Sequence, residues 1–400
     1  MKPRSRFDGG RLMVLVLVEL IAAGAQARAD SPAAVRARIL AETKALLLSE
    51  YVDDKLDAGN LDLAAVQGIL TELNGGKADG PNALLDPRSG DELKRDLQGE
   101  LVGIGTMIDY DETTGVARVD GLLPGSGALA AGIERGDRIL SVAGVGVQGR
   151  PLREVVNSIR GKEGTTVKLS LLRGASTVEK TVVRKRLTLT SVEHATAGDL
   201  GLLIIRMFNE RTPGELEAGL RAMSAAGAKR LLIDLRNNGG GLFEKSIASA
   251  ELLLRKGSEI VRTITRGQKM THVVSKRDPI MGPVPIVVLI NKETASSAEV
   301  LAEALRVSAG ATLVGAKTFG KWRMETVRPL SDGYSLKYTI GLLQSPAGKT
   351  FDGVGVPPDV EVPAGTDPVE HTRRLNDLDK KMEVDPQLRA AVHILRRLKS

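Results

Sequence analysis

Ser296 is the position in this chain where residue type and spacing best suit covalent chemistry. The apolar run Ile286-Val287-Val288-Leu289-Ile290 reads as a buried strand, and helical spacing begins at Ser297 and continues to about Val307. A serine at such a turn stands at a helix N-terminus, where free N–H groups and partial positive charge stabilise an oxyanion. The amide of Ser297 is then one oxyanion donor. The second comes from Gly240 or Gly241 in the run Asn237-Asn238-Gly239-Gly240-Gly241, where glycine lets the backbone approach a carbonyl. A helix cap explains the same serine equally well, and the local sequence leaves both readings open. A serine nucleophile needs a base, yet His194, His272, His371 and His393 lie far from any serine motif, which disfavours a Ser-His-Asp triad. With no cysteine in the chain, thiolate nucleophiles, thiolate metal sites and disulfides are excluded. No His, Asp and Glu residues have metal-ligand spacing.

The elements that must position these residues alternate. Strands Leu202–Ile205, Leu231–Leu235, Ile286–Ile290 and Thr312–Val314 are interleaved with helices from Pro213 to Ala225, from the glycine turn to Leu254, and from Ser297. That order predicts an α/β domain over 189–363. Asp234 and Arg236 flank the glycine turn as structural partners. Residues 33–75 carry helical spacing and fall in a helical N-terminal region, 30–98, closed by a short linker around Leu85 to Asp96. A helical, charged tail over 364–400 is expected to pack on the surface.

Between these regions, 99–188 alternates short strands with glycine turns. Val102-Gly103-Ile104-Gly105, Gly136-Asp137-Arg138-Ile139-Leu140 and Arg160-Gly161-Lys162-Glu163-Gly164-Thr165 stand in the order of the signature turns of a PDZ domain, which this segment resembles. Leu152 to Ile159 reads as its helix and Val167 to Leu172 as a strand. A PDZ groove takes a peptide as an added strand while loop amides hold its terminal carboxylate. The loop here is Gly103-Ile104-Gly105-Thr106.

Thr294–Glu299, Thr318–Trp322, Asp234–Gly241 and Pro358-Asp359-Val360 follow the order of the signature segments of the C-terminal processing peptidases, or tail-specific proteases. With the PDZ match, the resemblance spans nearly the whole chain beyond the leader. It implies a multidomain α/β protein whose core is ClpP/crotonase-like, following a β-rich α+β PDZ domain. It also implies a Ser/Lys dyad, with Ser296 as nucleophile and Lys321 as base, and neither metal nor organic cofactor. A lysine amine ordinarily ionises near pH 10.4, so a base role near neutrality asks for burial costing the ammonium roughly 3–4 kcal/mol. Phe319, Trp322 and Met324 are the apolar side chains at hand. Two positions depart from the family. Glu325 stands where a glutamine orients the lysine, and Trp322 replaces a glycine. An ionised Glu325 beside Lys321 opposes base function, which keeps a second reading open: a catalytically silent PDZ adaptor for protein C-termini.

Composition sets the rest. The chain has 400 residues, 42% hydrophobic and 26% charged, with 2% aromatics, so its cores are built of Leu, Val, Ile and Ala. Lys2, Arg4, Arg6 and Arg11, the apolar run from Leu12 to Ala23, and Ala27-Arg28-Ala29 predict an export signal over 1–29 cleaved after Ala29, and a periplasmic or cell-envelope location. The leader's five bases and two acids account for 3 of the formal +7, leaving +4. That excess, without a basic stripe, gives no support to nucleic-acid binding. Gly144–Gly149 spells a dinucleotide fingerprint, but Arg150-Pro151 follows it in place of a helix. Gly315–Lys321 nearly spells a phosphate loop, but Trp322 stands where Ser or Thr belongs. The expected partners are proteins or peptides with free, apolar C-termini, with self-association and a regulatory adaptor as further possibilities from the family.

Overall fold

The computed structural model describes residues 31–51, 57–111, 114–365 and 382–398. The export signal and cleavage site lie outside them, as does part of the tail. The chain divides into two units, Met1–Gly80 and Pro81–Ser400. In the first, α1 (Pro32–Glu50) and α2 (Ala58–Leu73) start at Ser31 and Asp57, whose side chains accept from the amides of Ala34 and Asn60. Among the described residues no helix is long and apolar enough to cross a membrane.

The second unit opens with β1 (Ala83–Leu85) and α3 (Pro87–Gln98). The helix occupies the segment expected to be a linker. Its sequence is polar apart from Leu93 and Leu97, so apolar spacing is faint, but its ends are well specified. Asp86 caps the first turn through the amide of Ser89, Pro87 opens the helix, and Gly99 closes it at φ 73°.

The next strands are β2 (Glu100–Gly103), β3 (Thr106–Asp111), β4 (Val116–Leu122), β5 (Arg138–Val142), β6 (Val145–Gly146), β7 (Thr166–Arg173), β8 (Ser176–Val183) and β9 (Lys185–Thr188). Helices α4 (Gly127–Ala130) and α5 (Leu152–Ile159) punctuate them. β2 pairs with β9, while the main sheet runs β3-β4-β5-β7-β8, so β3 is an edge strand. Alternate residues such as Ala117, Val119, Leu169 and Leu171 form its core with Ile104, Val155 and Ile159.

The remaining strands are β10 (Val192–Ala197), β11 (Leu200–Ile205), β12 (Arg230–Asp234), β13 (Glu259–Thr265), β14 (Lys269–Val274), β15 (Ile286–Ile290), β16 (Thr312–Gly315), β17 (Arg323–Pro329), β18 (Ser335–Gln344) and β19 (Val360–Glu361). Helices α6 (Thr212–Ala225), α7 (Phe243–Glu251), α8 (Ser297–Ala309) and α9 (Pro386–Arg397) accompany them. One sheet runs β10-β11-β12-β15-β16-β19 and is parallel from β11 onward. A second runs β1-β18-β13-β14, with β17 also on β18.

The parallel strands are covered on both faces, as continuous apolar runs require. Leu203, Ile233, Val288 and Leu313 join the α6–α8 side, while Leu202, Leu232, Val287 and Val314 face Leu388, Ala391, Val392 and Leu395 of α9. The end of the tail is therefore a core layer, not the surface helix expected. Its many charges mask a narrow apolar stripe at 388, 391, 392 and 395, which is helical spacing.

Arg236 ties α9 to the end of β12. It pairs with Asp234 at 2.7 Å and Asp385 at 2.9 Å and donates to Gln387 Oε1 at 3.0 Å, all buried. Burial opposes its charge, but the two carboxylates outweigh burial and raise its pKa. Leu395→Ala should cost about 2–5 kcal/mol in urea denaturation. Exposed Arg396→Ala on the same helix should stay within about 0.5 kcal/mol.

Candidate active site

Three neighbouring parallel strands, β12, β15 and β16, release three turns at their C-terminal ends, where open α/β sheets bind ligands. β12 runs into Asn237–Gly241, β15 into Asn291–Ser296, and β16 into Thr318–Lys321. The register Asp234↔Leu289 and Ile290↔Gly315 sets the three turns side by side.

Polar side chains stitch the turns together. Asn237 and Asn291 exchange two bonds: the Asn237 amide donates to Asn291 Oδ1 at 3.0 Å, and Asn291 Nδ2 donates to Asn237 Oδ1 at 2.7 Å. The Thr294 hydroxyl donates to Leu235 O at 2.9 Å, and the Ala295 amide to Asn238 O at 2.9 Å. The Phe319 amide donates to Thr294 O at 3.0 Å.

The central member is Glu299 in the first turn of α8, 0% exposed. Its Oε2 accepts the amides of Ser296 and Lys321, each at 2.8 Å, so those two backbone nitrogens are no more than 5.6 Å apart. Its Oε1 accepts the Gly320 amide at 2.8 Å and the Thr318 hydroxyl. The role of Glu299 is not among the sequence-based expectations, although Ser296-x-x-Glu299 has the spacing of a capping box, in which the glutamate reaches back to the N-cap amide.

Ser296 sits at φ 55°, ψ −122°, a backbone state that side-chain-bearing residues rarely adopt. Such strain costs about 1–3 kcal/mol and gathers at functional turns. Gly240 packs against this turn. A Cβ there would lie 2.9 Å from Ala295 O, 2.9 Å from Ser296 Cβ and 3.1 Å from Ser297 N. Of the two candidate oxyanion glycines, Gly240 gives its N–H to Asn238 Oδ1 at 2.9 Å. The N–H groups of Gly241 and Ser297 have no acceptor among the described residues.

Lys321 departs from the apolar burial expected of a base. Its side chain is 34% exposed, and its amine donates to Glu325 Oε2 at 3.0 Å. The apolar wall is absent because Phe319 points outward, 65% exposed, and Trp322 is drawn into the core, its ring centroid 5.1 Å from that of Phe351. Met324 also packs on that core. Glu325 points toward Lys321 and forms an ion pair with it. Two of the described histidines have other neighbours: His272 pairs with Glu259 at 2.6 Å, and His194 lies beside Gly219, while His371 lies outside the described residues.

At the other candidate site, Gly103, Ile104 and Gly105 are buried and Thr106 half-buried. Gly105 is at φ 77°, and a Cβ there would lie 2.4 Å from Ser126 Cβ. The N–H groups of Ile104 and Gly105 find no acceptor among the described residues, and the loop leads directly into the edge strand β3.

A parallel sheet delivers a strained serine and a lysine on adjoining turns, and an open-edged β domain precedes it. Residues 199–362 match the model of Peptidase family S41, and residues 92–172 that of the PDZ domain. Over residues 199–362 the chain is similar to the S41 peptidases. It is 31% identical over 310 residues to a probable CtpA-like serine protease of Staphylococcus haemolyticus (strain JCSC1435), covering 77% of this chain and 61% of that protein. It is 32% identical over 319 residues to a probable CtpA-like serine protease of Staphylococcus aureus (strain COL), covering 79% and 63%. The chain thus spans a little over three-fifths of the length of these relatives. A solved structure from Bacteroides fragilis NCTC 9343 assigned to the S41 proteases shares the fold, with a TM-score of 0.57 at 16% identity over 89% of this chain and 97% of that one.

Removing the Glu299 carboxylate leaves three buried amides and a hydroxyl unmatched. Glu299→Ala should cost about 3 kcal/mol or more in denaturant unfolding, and turnover should fall by about a hundredfold because the two turns lose register. Gly240→Ala should cut kcat by about a hundredfold or more because its Cβ pushes on the Ser296 turn, and should also lower stability, read from kinetics alongside melting.

Proposed function

We propose that this chain is a serine endopeptidase that cleaves exported proteins at or near their C-terminal tails. Ser296 Oγ attacks the scissile carbonyl carbon while Lys321 Nζ takes its proton. The amides of Ser297 and Gly241 hold the oxyanion. The leaving amine takes the proton back from Lys321, giving an acyl-enzyme ester; Lys321 Nζ then deprotonates a water molecule that attacks the ester, and the proton passes to Ser296 Oγ as the new carboxylate leaves. The observation that carries this reading is the shared grip of Glu299 on the amides of Ser296 and Lys321. The leader over 1–29 supplies the export part of the proposal.

The PDZ domain captures the substrate's free tail. Its edge strand β3 offers unpaired backbone groups to a peptide, and the free amides of Ile104 and Gly105 suit a terminal carboxylate. Binding there feeds the tail to Ser296 and gates access to it.

The competing reading, a silent PDZ adaptor, draws on the ion pair between Lys321 and Glu325. Cleavage of an apolar-tailed peptide and labelling by a fluorophosphonate probe separate the two. Wild type should cleave and label, whereas Ser296→Ala should do neither and Lys321→Ala should lose turnover. Equal behaviour of wild type and Ser296→Ala would sink the peptidase reading. Amidating the tail should raise KM by about tenfold or more while kcat changes little, because the loop loses a charged acceptor.

The sign of the Glu325 effect follows from charge. A carboxylate favours the ammonium form of Lys321, and removing it favours the neutral amine. Glu325→Gln should therefore keep or raise activity and lower the pH optimum, read from the pH dependence of kcat/KM. Collapse of activity in that variant would mean that the carboxylate itself is required.

A further inference from the structure

This inference rests on Lys321 serving as the base. A lysine gripped by a single carboxylate holds its proton, because releasing it leaves a bare, largely buried carboxylate behind. The site contains a second cation placed to answer that charge. Glu325, 15% exposed, follows a register shift at Met324/Glu325 in β17, a bulge of the kind that re-aims side chains beside active sites. It opposes Thr339 on β18, while Val327 opposes Lys337. Lys337 therefore shares the Glu325 face and occupies its diagonal position. Its Nζ lies 3.8 Å from Glu325 Oε2, the same oxygen that holds Lys321.

The other surrounding charges have closer partners, although Arg323 also acts on Glu325 through space. Arg323 on β17 pairs with Asp352 at 2.7 Å, and Glu299 on α8 is bound by the backbone of the two turns. From the β1 side comes the neutral Asn82, whose Oδ1 accepts the Thr339 amide at 2.9 Å. Lys337 has no other carboxylate partner among the described residues. Glu325 Oε1 is buried with no hydrogen-bond partner, so the carboxylate has an acceptor position open to a second donor.

We propose that Lys337 is a positioning residue of the catalytic apparatus, whose ammonium takes over the Glu325 carboxylate when Lys321 gives up its proton. With Lys337 present, proton loss from Lys321 converts two cations and one anion into a neutral Lys337–Glu325 pair. Without it, the same loss strands the anion. Lys337 thereby makes an ionised glutamate tolerable beside the base.

The test is the pH dependence of kcat/KM for an apolar-tailed peptide, with ¹³Cε-lysine NMR of the full chain to read the charge on Lys321 without turnover. Lys337→Met should move the rising limb to higher pH, giving about tenfold lower kcat/KM on that limb and recovery at alkaline pH. The Lys321 resonance should titrate at correspondingly higher pH. Lys337→Arg should restore the wild-type profile. In the Glu325→Gln background Lys337→Met should move the limb much less, since its action runs through the carboxylate. A uniform loss at all pH values with the Lys321 titration unmoved would reduce Lys337 to a structural role and overturn the proposal. Full activity in Lys321→Ala would remove the base reading and this inference with it. An inactive Lys321→Ala beside an unshifted Lys337→Met would remove this inference alone.

Discussion

A single buried carboxylate holds the site together. Glu299 accepts from the backbone of Ser296 with one oxygen and from that of Lys321 with the same oxygen, while its other oxygen takes Gly320 and Thr318. An isolated charge in such a place is costly, and four donors compensate it. The same bonds give the strained Ser296 its support, since a residue in an unfavourable backbone state persists only when its surroundings over-determine it. Ser296 and Lys321 are thus placed by the main chain, and their side chains inherit the geometry.

The sheet decides which turns meet that carboxylate. β12, β15 and β16 are adjacent and parallel, so their loops leave on one side. Apolar runs buried on both faces fix those strands, with α6–α8 on one side and α9 on the other. Arg236 joins the end of β12 to the start of α9 just before the glycine turn, so the layer behind the sheet also steadies the loop in front.

Much of this was legible from residue patterns. The long apolar strands, the helix after Ser296 and the glycine turn follow from periodicity and punctuation, and Ser296-x-x-Glu299 was readable as a capping box. Three features were not. α3 is specified by Asp86, Pro87 and Gly99 at its ends, with too few apolar residues between them to show a period. α9 hides an apolar stripe among charges, and what it packs against is a property of the tertiary fold. The environment of Lys321 also depends on long-range pairing, because β18 brings Lys337 to Glu325 while Trp322 turns away into the core. Local sequence names the aromatic beside the lysine but not the direction in which it points.

β1 precedes the PDZ domain, yet it is paired along Ala83–Leu85 with β18, the strand that bears Lys337. On the far side, β9 is followed at once by β10 on the edge of the parallel sheet. The PDZ domain is therefore an insertion held at both ends rather than a bead on a tether. A domain joined by one flexible linker explores a sphere, and the local concentration of its cargo is set by linker length. Two anchored ends leave only a hinge-like arc, so a tail held as proposed would follow a restricted path that starts beside the strand bearing Lys337.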